Sequence, residues 1–250
     1  YVQTEENTDA AKLKSFEERL QEMALLIEAK HRGDTHVVCG PLIETLAKVS
    51  RTYEGMVVGP REPGALERLL MGTIATRVMR TAQCPIVIPR HVGDRKETKP
   101  RLLVGVDLSK PSYQWLIEQG GEWATVLGGT LDAVYMVSNP AVSGIRNAYV
   151  REAALKEWSL SQEPFRLRLA AAMETVDEAH RGEARVVSGD PENDLVAMSE
   201  GYDFVVVGNL EHSGLKGYLL GSVASHVVRS AQCDVITLPA AAYLEQLDSD

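Results

Sequence analysis

At 250 residues the chain has room for two domains of ordinary size, and its 44% hydrophobic content supports sizeable cores. No apolar run approaches the roughly 18 residues needed to span a bilayer, so direct membrane insertion is not expected. A net charge of −9 argues against a general nucleic-acid binder, because a phosphate backbone selects for concentrated positive charge. The polar, acidic N-terminus carries no signal-peptide pattern, and the expected setting is the cytoplasm.

From Tyr1 to Gly33 the chain reads as mostly helical, with Phe16, Leu20, Met23, Ile27 and His31 recurring at helical spacing. Thr35 to Cys39 reads as a strand, Pro41 to Arg51 as a helix opened by proline, and Gly55 to Val58 as a strand. A loop at Gly59, a helix from Thr73 and a strand from Ile86 to Ile88 follow. The basic stretch from Arg90 to Arg101 reads as a solvated linker.

Leu102 to Val106 is an apolar strand, and Ser109-Lys-Pro-Ser opens a helix whose inner face carries Leu116, Gly120, Trp123, Ala124 and Leu127. Leu131 to Val137 is the next strand. Ser138 to Gln162 holds Pro140, Gly144 and a polar helical stretch. Pro164 to His180 reads as a helix with Phe165, Leu169, Met173 and Val176 on one face, and Arg185 to Ser188 as a strand. Asp190-Pro191 caps and starts another helix, since aspartate accepts from orphan N–H groups and proline suits the first position. The strand Phe204 to Val207 leads into a Gly-rich loop, a helix opening at Gly221-Ser222 and a last strand, Val235 to Leu238. Such alternation makes a parallel α/β sheet the economical fold.

The ending is written twice. Gly208 and Gly59, Glu211 and Glu62, Gly221 and Gly72, and Cys233 and Cys84 all differ by 149 positions. The register holds back to Phe165 and Phe16 through two copies of an HRG tripeptide, at His180 and His31, with roughly a third of the pairs identical, which marks a duplication. We therefore expect two tandem domains: residues 1–90 the C-terminal part of the first, 91–100 a linker, 101–240 a complete second domain and 241–250 a tail. By the same offset the first unit lacks its first strand, first helix and second strand, so the chain is expected to begin inside a longer protein.

The spacing Gly208, Glu211, Gly221-Ser222, with its copy Gly59, Glu62, Gly72-Thr73, resembles the signature of the universal stress protein family. The tails LLGSVASHVVRSAQCDVITL and LLMGTIATRVMRTAQCPIVI are similar to that family's final helix and strand, as is the VGVDLS strand end from Val104 to Ser109. The resemblance covers nearly the whole chain. It implies an open sheet of five parallel strands flanked by helices in each domain. It also implies ATP or AMP at the carboxyl ends of the strands, and a homodimer or an intrachain pseudo-dimer joined through Ile86–Ile88 and Val235–Leu238. The protein would be a stress-response regulator that signals through an unnamed protein partner.

By resemblance, Asp107 holds the adenine or ribose side with Val106 and Val137 lining the base. Read alone, a strand-end aspartate caps the next turn. Gly208, Gly214, Gly221 and Ser222, with Val207 and Val223 beside them, form the phosphate side, since glycines turn N–H groups toward a ligand and a helix start favours an anion. ATP-binding members of the family carry glycine where this chain has Glu211 and Glu62. A carboxylate about 5 Å from a phosphate charge repels by roughly 3 kcal/mol at an effective dielectric near 20, or about two decades in affinity. That lowers ATP relative to AMP and admits a ligand-free interaction scaffold.

His212 and His226 do not repeat as histidine, and the three cysteines form no zinc spacing, so no metal is expected. Cys84 and Cys233 read as buried core residues without a redox role. No nucleophile and base pair stands out, so no enzyme is expected; a weak ATP hydrolase would need Glu211 to orient water. A further alternative is the cytoplasmic sensory domain of a larger protein.

Overall fold

The computed structural model describes residues 2–3, 10–59, 73–90, 98–137, 147–209, 211–213, 217–219 and 221–239. In chain order the first half gives β1 (Val2–Gln3), α1 (Ala10–Ala24), β2 (Val38–Cys39), α2 (Leu42–Val49), β3 (Met56–Val57), α3 (Thr73–Thr81) and β4 (Ile86–Ile88). The second half gives β5 (Arg101–Val106), α4 (Tyr113–Leu127), β6 (Thr130–Val137), α5 (Ala148–Leu160), α6 (Glu163–Met173), β7 (Arg181–Ser188) and α7 (Pro191–Ser199). It continues with β8 (Phe204–Asn209), β9 (Glu211–Ser213), β10 (Gly217–Leu219), α8 (Ser222–Ser230) and β11 (Asp234–Pro239).

The main sheet has seven strands in the order β3-β4-β11-β8-β5-β6-β7. Five of them, β11 to β7, are parallel. β3 and β4 are parallel to each other and join the five through an antiparallel pair, Val235 with Ile88, Ile236 with Val87 and Thr237 with Ile86. The two last strands therefore meet, as the resemblance implied. Helices cover both faces, which is why these strands read as continuous apolar runs. Val78, Met79, Leu195, Val227 and Val228 from α3, α7 and α8 pack on one face. Leu116, Ile117 and Ala124 of α4 pack with Leu169 and Met173 of α6 on the other. Side chains such as Val206 and Ile236, both 0% exposed, each contribute about 1.5–3 kcal/mol of burial.

Some contacts recur at the repeat offset: Met56 pairs with Ile86 as Val205 pairs with Val235. Ser50 Oγ donates to Ala47 O and accepts from Gln83 N at 3.0 Å, while Ser199 Oγ donates to Val196 O and accepts from Gln232 N at 2.9 Å. Each serine pins the end of its helix to the turn before the last strand of its half, β4 or β11. Ser199→Ala and Ser50→Ala should each cost about 1 kcal/mol in chemical unfolding, the usual worth of one net hydrogen bond.

The HRG tripeptide has a job at each letter. Arg181 donates from Nε and Nη2 to Val176 O and from Nη2 to Glu174 O, and its mate Arg32 donates to Ile27 O and Leu25 O. These guanidinium groups satisfy carbonyls left open at the preceding helix end. His180 Nδ1 lies 2.7 Å from Gly129 O. A Cβ on Gly182 would meet Asp132 Oδ1 and, at 2.7 Å, Leu131 O.

The same bonds mark where sequence reading overran. The helix expected over Pro164 to His180 stops at Met173, with Arg181 bonding the carbonyls of Glu174 and Val176 just beyond it, and β7 starts at Arg181 rather than Arg185. Among the described residues the stretch Tyr1 to Gly33 is helical over α1, whose residues include none that is buried, and over a 3-10 turn at Ala29–His31. Its first described residues are a strand: Gln3 pairs with Cys39, the repeat mate of Ser188, which pairs with Val137. Val2–Gln3 thus occupies the place of the end of β6, so the first unit does not lack its whole second strand. A shorter connection there breaks the constant offset, which is why the sequence count missed it. The strand expected from Thr35 shrinks to Val38–Cys39, and that from Gly55 to Met56–Val57. Residues 91–97 of the linker and the 241–250 tail lie outside the described residues.

Cys84 and Cys233 are buried and Cys39 is exposed. Burial pushes both buried thiols up, Cys233 to about 12 with help from the Asp234 charge. A thiol-selective reagent should modify only Cys39 rapidly in the native protein and all three cysteines after denaturation.

Candidate functional site

The carboxyl ends of β5, β6 and β8 and the starts of α4, α7 and α8 enclose a cavity of about 340 Å³. Its apolar wall is Val106, Val134, Tyr135, Met136, Leu195 and Val207, and its polar rim carries Asp107, Lys110, Ser112, Gly208, Gly221 and Ser222. Strand ends of an open α/β sheet are where such crevices form, because adjacent connections leave toward opposite faces.

Asp107 follows the last residue of β5. Its Oδ1 accepts from Ser109 N at 2.9 Å and from Ser109 Oγ at 2.7 Å, the turn cap that a strand-end aspartate makes by itself. Oδ2 makes no such bond among the described residues. Tyr135 reaches the cavity from β6, and its ring lies 5.3 Å from that of Phe165. Burial pushes the Tyr135 phenol up, Asp107's charge adds to this and Arg168 opposes it, so the phenol stays a neutral donor. Tyr113, at the start of α4, accepts from Arg168 Nε at 3.0 Å while the guanidinium sits 4.5 Å over its ring.

Of the three helix starts at the rim, that of α4 has Ser112 as its N-cap with no side-chain cap bond, and those of α7 and α8 differ from it and from each other. Asp190 caps α7, accepting from Glu192 N and Asn193 N with Pro191 in the first turn, as its sequence foretold. The N-cap of α8 is Gly221, which has no side chain to cap with. The orphan donors of α8 therefore face the cavity at Ser222, Val223 and Ala224, where an anion would lie along the helix dipole. Gly105 keeps the walls close, since a Cβ there would lie 2.6 Å from Leu195 Cδ2.

Of the residues singled out in the sequence, Val106, Asp107, Val207, Gly208, Gly221, Ser222 and Val223 come together on this cavity. Val137 does not line it; Tyr135 and Met136, earlier on the strand, do, while Val137 O accepts from Gly189 N in the turn after β7. Glu211 lies in β9, paired antiparallel with Leu219 of β10, where an open Gly-rich loop was expected. Backbone groups of these two strands bond to one another. Gly214 lies outside the described residues, as do Glu62 and Gly72. Gly59 is exposed just past β3 and Thr73 opens α3.

Lys110, Tyr113, Tyr135, Pro191 and Leu195 were missed. Their convergence depends on the register of three strands, which no local spacing records. Among the described residues no His, Cys, Asp and Glu cluster is arranged to hold a metal, and no helix is long and apolar enough to cross a membrane.

The family model described as the universal stress protein family matches residues 100–239. A universal stress protein of Mycobacterium tuberculosis is 30% identical over 224 residues, covering 87% of this chain and 72% of its own length. Another from that organism is 30% identical over 208 residues, covering 81% of this chain and 67% of its own length. A solved universal stress protein from Archaeoglobus fulgidus superposes with a TM-score of 0.65 at 18% identity, covering 96% of this chain and 85% of its own, which speaks to the fold.

Proposed function

The chain belongs to the universal stress protein family, and from that premise we propose that this stress-response protein binds an adenine nucleotide, AMP before ATP, in the β5–β6–β8 cavity. One observation carries the reading: an apolar, aromatic wall, an aspartate and an uncapped helix start converge on a single crevice. A base would lie on Val106 and Tyr135, Asp107 would take ribose hydroxyls, and the phosphate would meet the N–H groups of α8 beside Ser222. The cavity's 340 Å³ is near the low end of the roughly 300–1,000 Å³ typical of ligand sites, which favours one phosphate over three. Glu211 adds a carboxylate against a longer phosphate chain.

In this reading the chain divides into a first-domain portion at 1–90, a linker at 91–100 and a second domain at 101–240. Occupancy changes the surface offered to a protein partner, either within a homodimer or across the intrachain junction of β4 and β11. Three free cysteines suit the reducing cytoplasm.

The test is to denature freshly purified protein, identify any released small molecule by mass spectrometry, and titrate AMP and ATP calorimetrically. AMP near one per chain, with ATP weaker, is the expected result. The second reading, a ligand-free scaffold, rests on the glutamate present in both copies at Glu62 and Glu211. It takes over if neither nucleotide binds while Glu211→Gly binds ATP.

A further inference from the structure

The last residue of β8 is polar and buried. Asn209 is 3% exposed, and its Nδ2 donates to Met79 O of α3 at 2.7 Å. Side chains alternate along a strand, so Asn209 shares a face with Val205 and Val207. Those valines pack in the cluster that holds Val78 and Met79 of α3, Leu195 of α7 and Ala224 of α8. Val207, Leu195 and Ala224 also line the cavity, as does Gly208, the residue just before Asn209. β10 lies against α3 as well. The repeat mate of Asn209 is Pro60, whose ring cannot make the same bond, so the contact belongs to the second copy alone.

We propose that Asn209 is a positioning residue: through it the first half of the chain, by way of α3, holds the ligand-facing end of β8. The inference rests on the nucleotide reading above. The Asn209 Oδ1 is buried without a hydrogen-bond partner among the described residues, so the Nδ2 bond to Met79 O is what anchors this buried carboxamide, and it makes the end of β8 and α3 move as one piece. A ligand that orders Gly208 then orders α3, and by linkage whatever orders α3 tightens the ligand. Neither half of the chain is then energetically independent, although the cavity is lined from the second half.

Hydrogen exchange of the amides in α3 and through Ala82, measured on the whole chain with and without AMP, tests this directly. AMP should raise their protection in the unaltered protein. Asn209→Ala should lose that AMP-dependent increment and bind AMP about tenfold more weakly, the size of one lost hydrogen bond. A purely structural role would lower α3 protection equally with and without AMP, and that result would overturn the proposal. So would unaltered protein that binds AMP with no change in α3, an outcome readable even if Asn209→Ala fails to fold. Absence of AMP binding to the unaltered protein would remove the nucleotide reading first, and this inference with it.

Discussion

Asp107→Ala is expected to weaken AMP binding by about ten- to a hundredfold, the range set by losing a charge-assisted hydrogen bond in a partly dry site. Asp107 is the only carboxylate lining the described cavity. With Oδ1 spent on Ser109, the proposed nucleotide would use Oδ2 as the acceptor for a ribose hydroxyl. The substitution also strips the turn of its cap, at a cost of about 1 kcal/mol in stability. Asp107→Asn separates the two effects, because its carbonyl oxygen can still accept from Ser109 while the charge is gone. Calorimetry on both variants, alongside their unfolding midpoints, decides the matter. AMP affinity unchanged in Asp107→Ala would dismiss any ligand role and leave only the turn cap.

Asp132→Ala should lower the unfolding free energy by about 2–3 kcal/mol, toward the lower end for a broken buried ion pair because both arginine partners can reach water. The carboxylate is 6% exposed. Oδ2 accepts from Arg101 Nη2 at 3.0 Å, Arg185 Nη2 at 3.2 Å and Tyr202 OH at 2.6 Å, and Oδ1 accepts from Glu183 N at 2.9 Å. The Arg101 guanidinium lies 4.5 Å over the Tyr202 ring. One side chain thus ties together β5, β6, β7 and the turn before β8.

Its pH signature has two sides. Burial pushes the Asp132 carboxyl up, but the bonds from Tyr202, the Glu183 N–H and Arg101 outweigh it and hold the group below its ordinary range. With the folded value below the unfolded one, its contribution is present above the ordinary carboxylate range and is lost as pH falls through the lowered value. Tyr202 runs the other way. Burial, then the bond to Asp132, raises its phenol to about 12, so its contribution is complete below pH 10 and fades between pH 10 and about 12. Asp132→Ala should remove this group's share of the acid limb of a stability–pH profile measured by urea unfolding and lessen, without abolishing, the alkaline limb, because burial is the larger cause of the Tyr202 shift. If both limbs are unchanged in the variant, the cluster contributes nothing of the kind.

These residues divide the sheet by chemistry. Away from the cavity, Asp132 accepts from Arg101, Arg185 and Tyr202 and is buried among them, while the two arginines keep one side toward water. At the carboxyl ends, Asp107 and the α8 start keep donors and acceptors facing a cavity. The sequence singled out Asp107 at a strand end and offered no signal for Asp132 inside the apolar run Leu131 to Val137. Only the sheet register, which sets Leu103 against Asp132 and Ala133 against Ala184, brings the arginines of flanking strands to one of them.

The meeting of Ile86–Ile88 with Val235–Leu238 came only through the family resemblance, whereas the sequence by itself determined the repeat spacing, the parallel α/β architecture and the cap at Asp190. Each of these is written locally, in strand runs, capping residues and a repeat whose packing demands are the same in both copies. Only the tertiary structure decided that Gln3 pairs with Cys39, that Glu211 sits in a hairpin, that Tyr135 rather than Val137 faces the cavity, and that Asn209 reaches α3 of the other half. All four depend on contacts between residues distant in the chain. Periodicity along one segment tells which face of a strand is buried, but what stands opposite that face is set by how the layers stack.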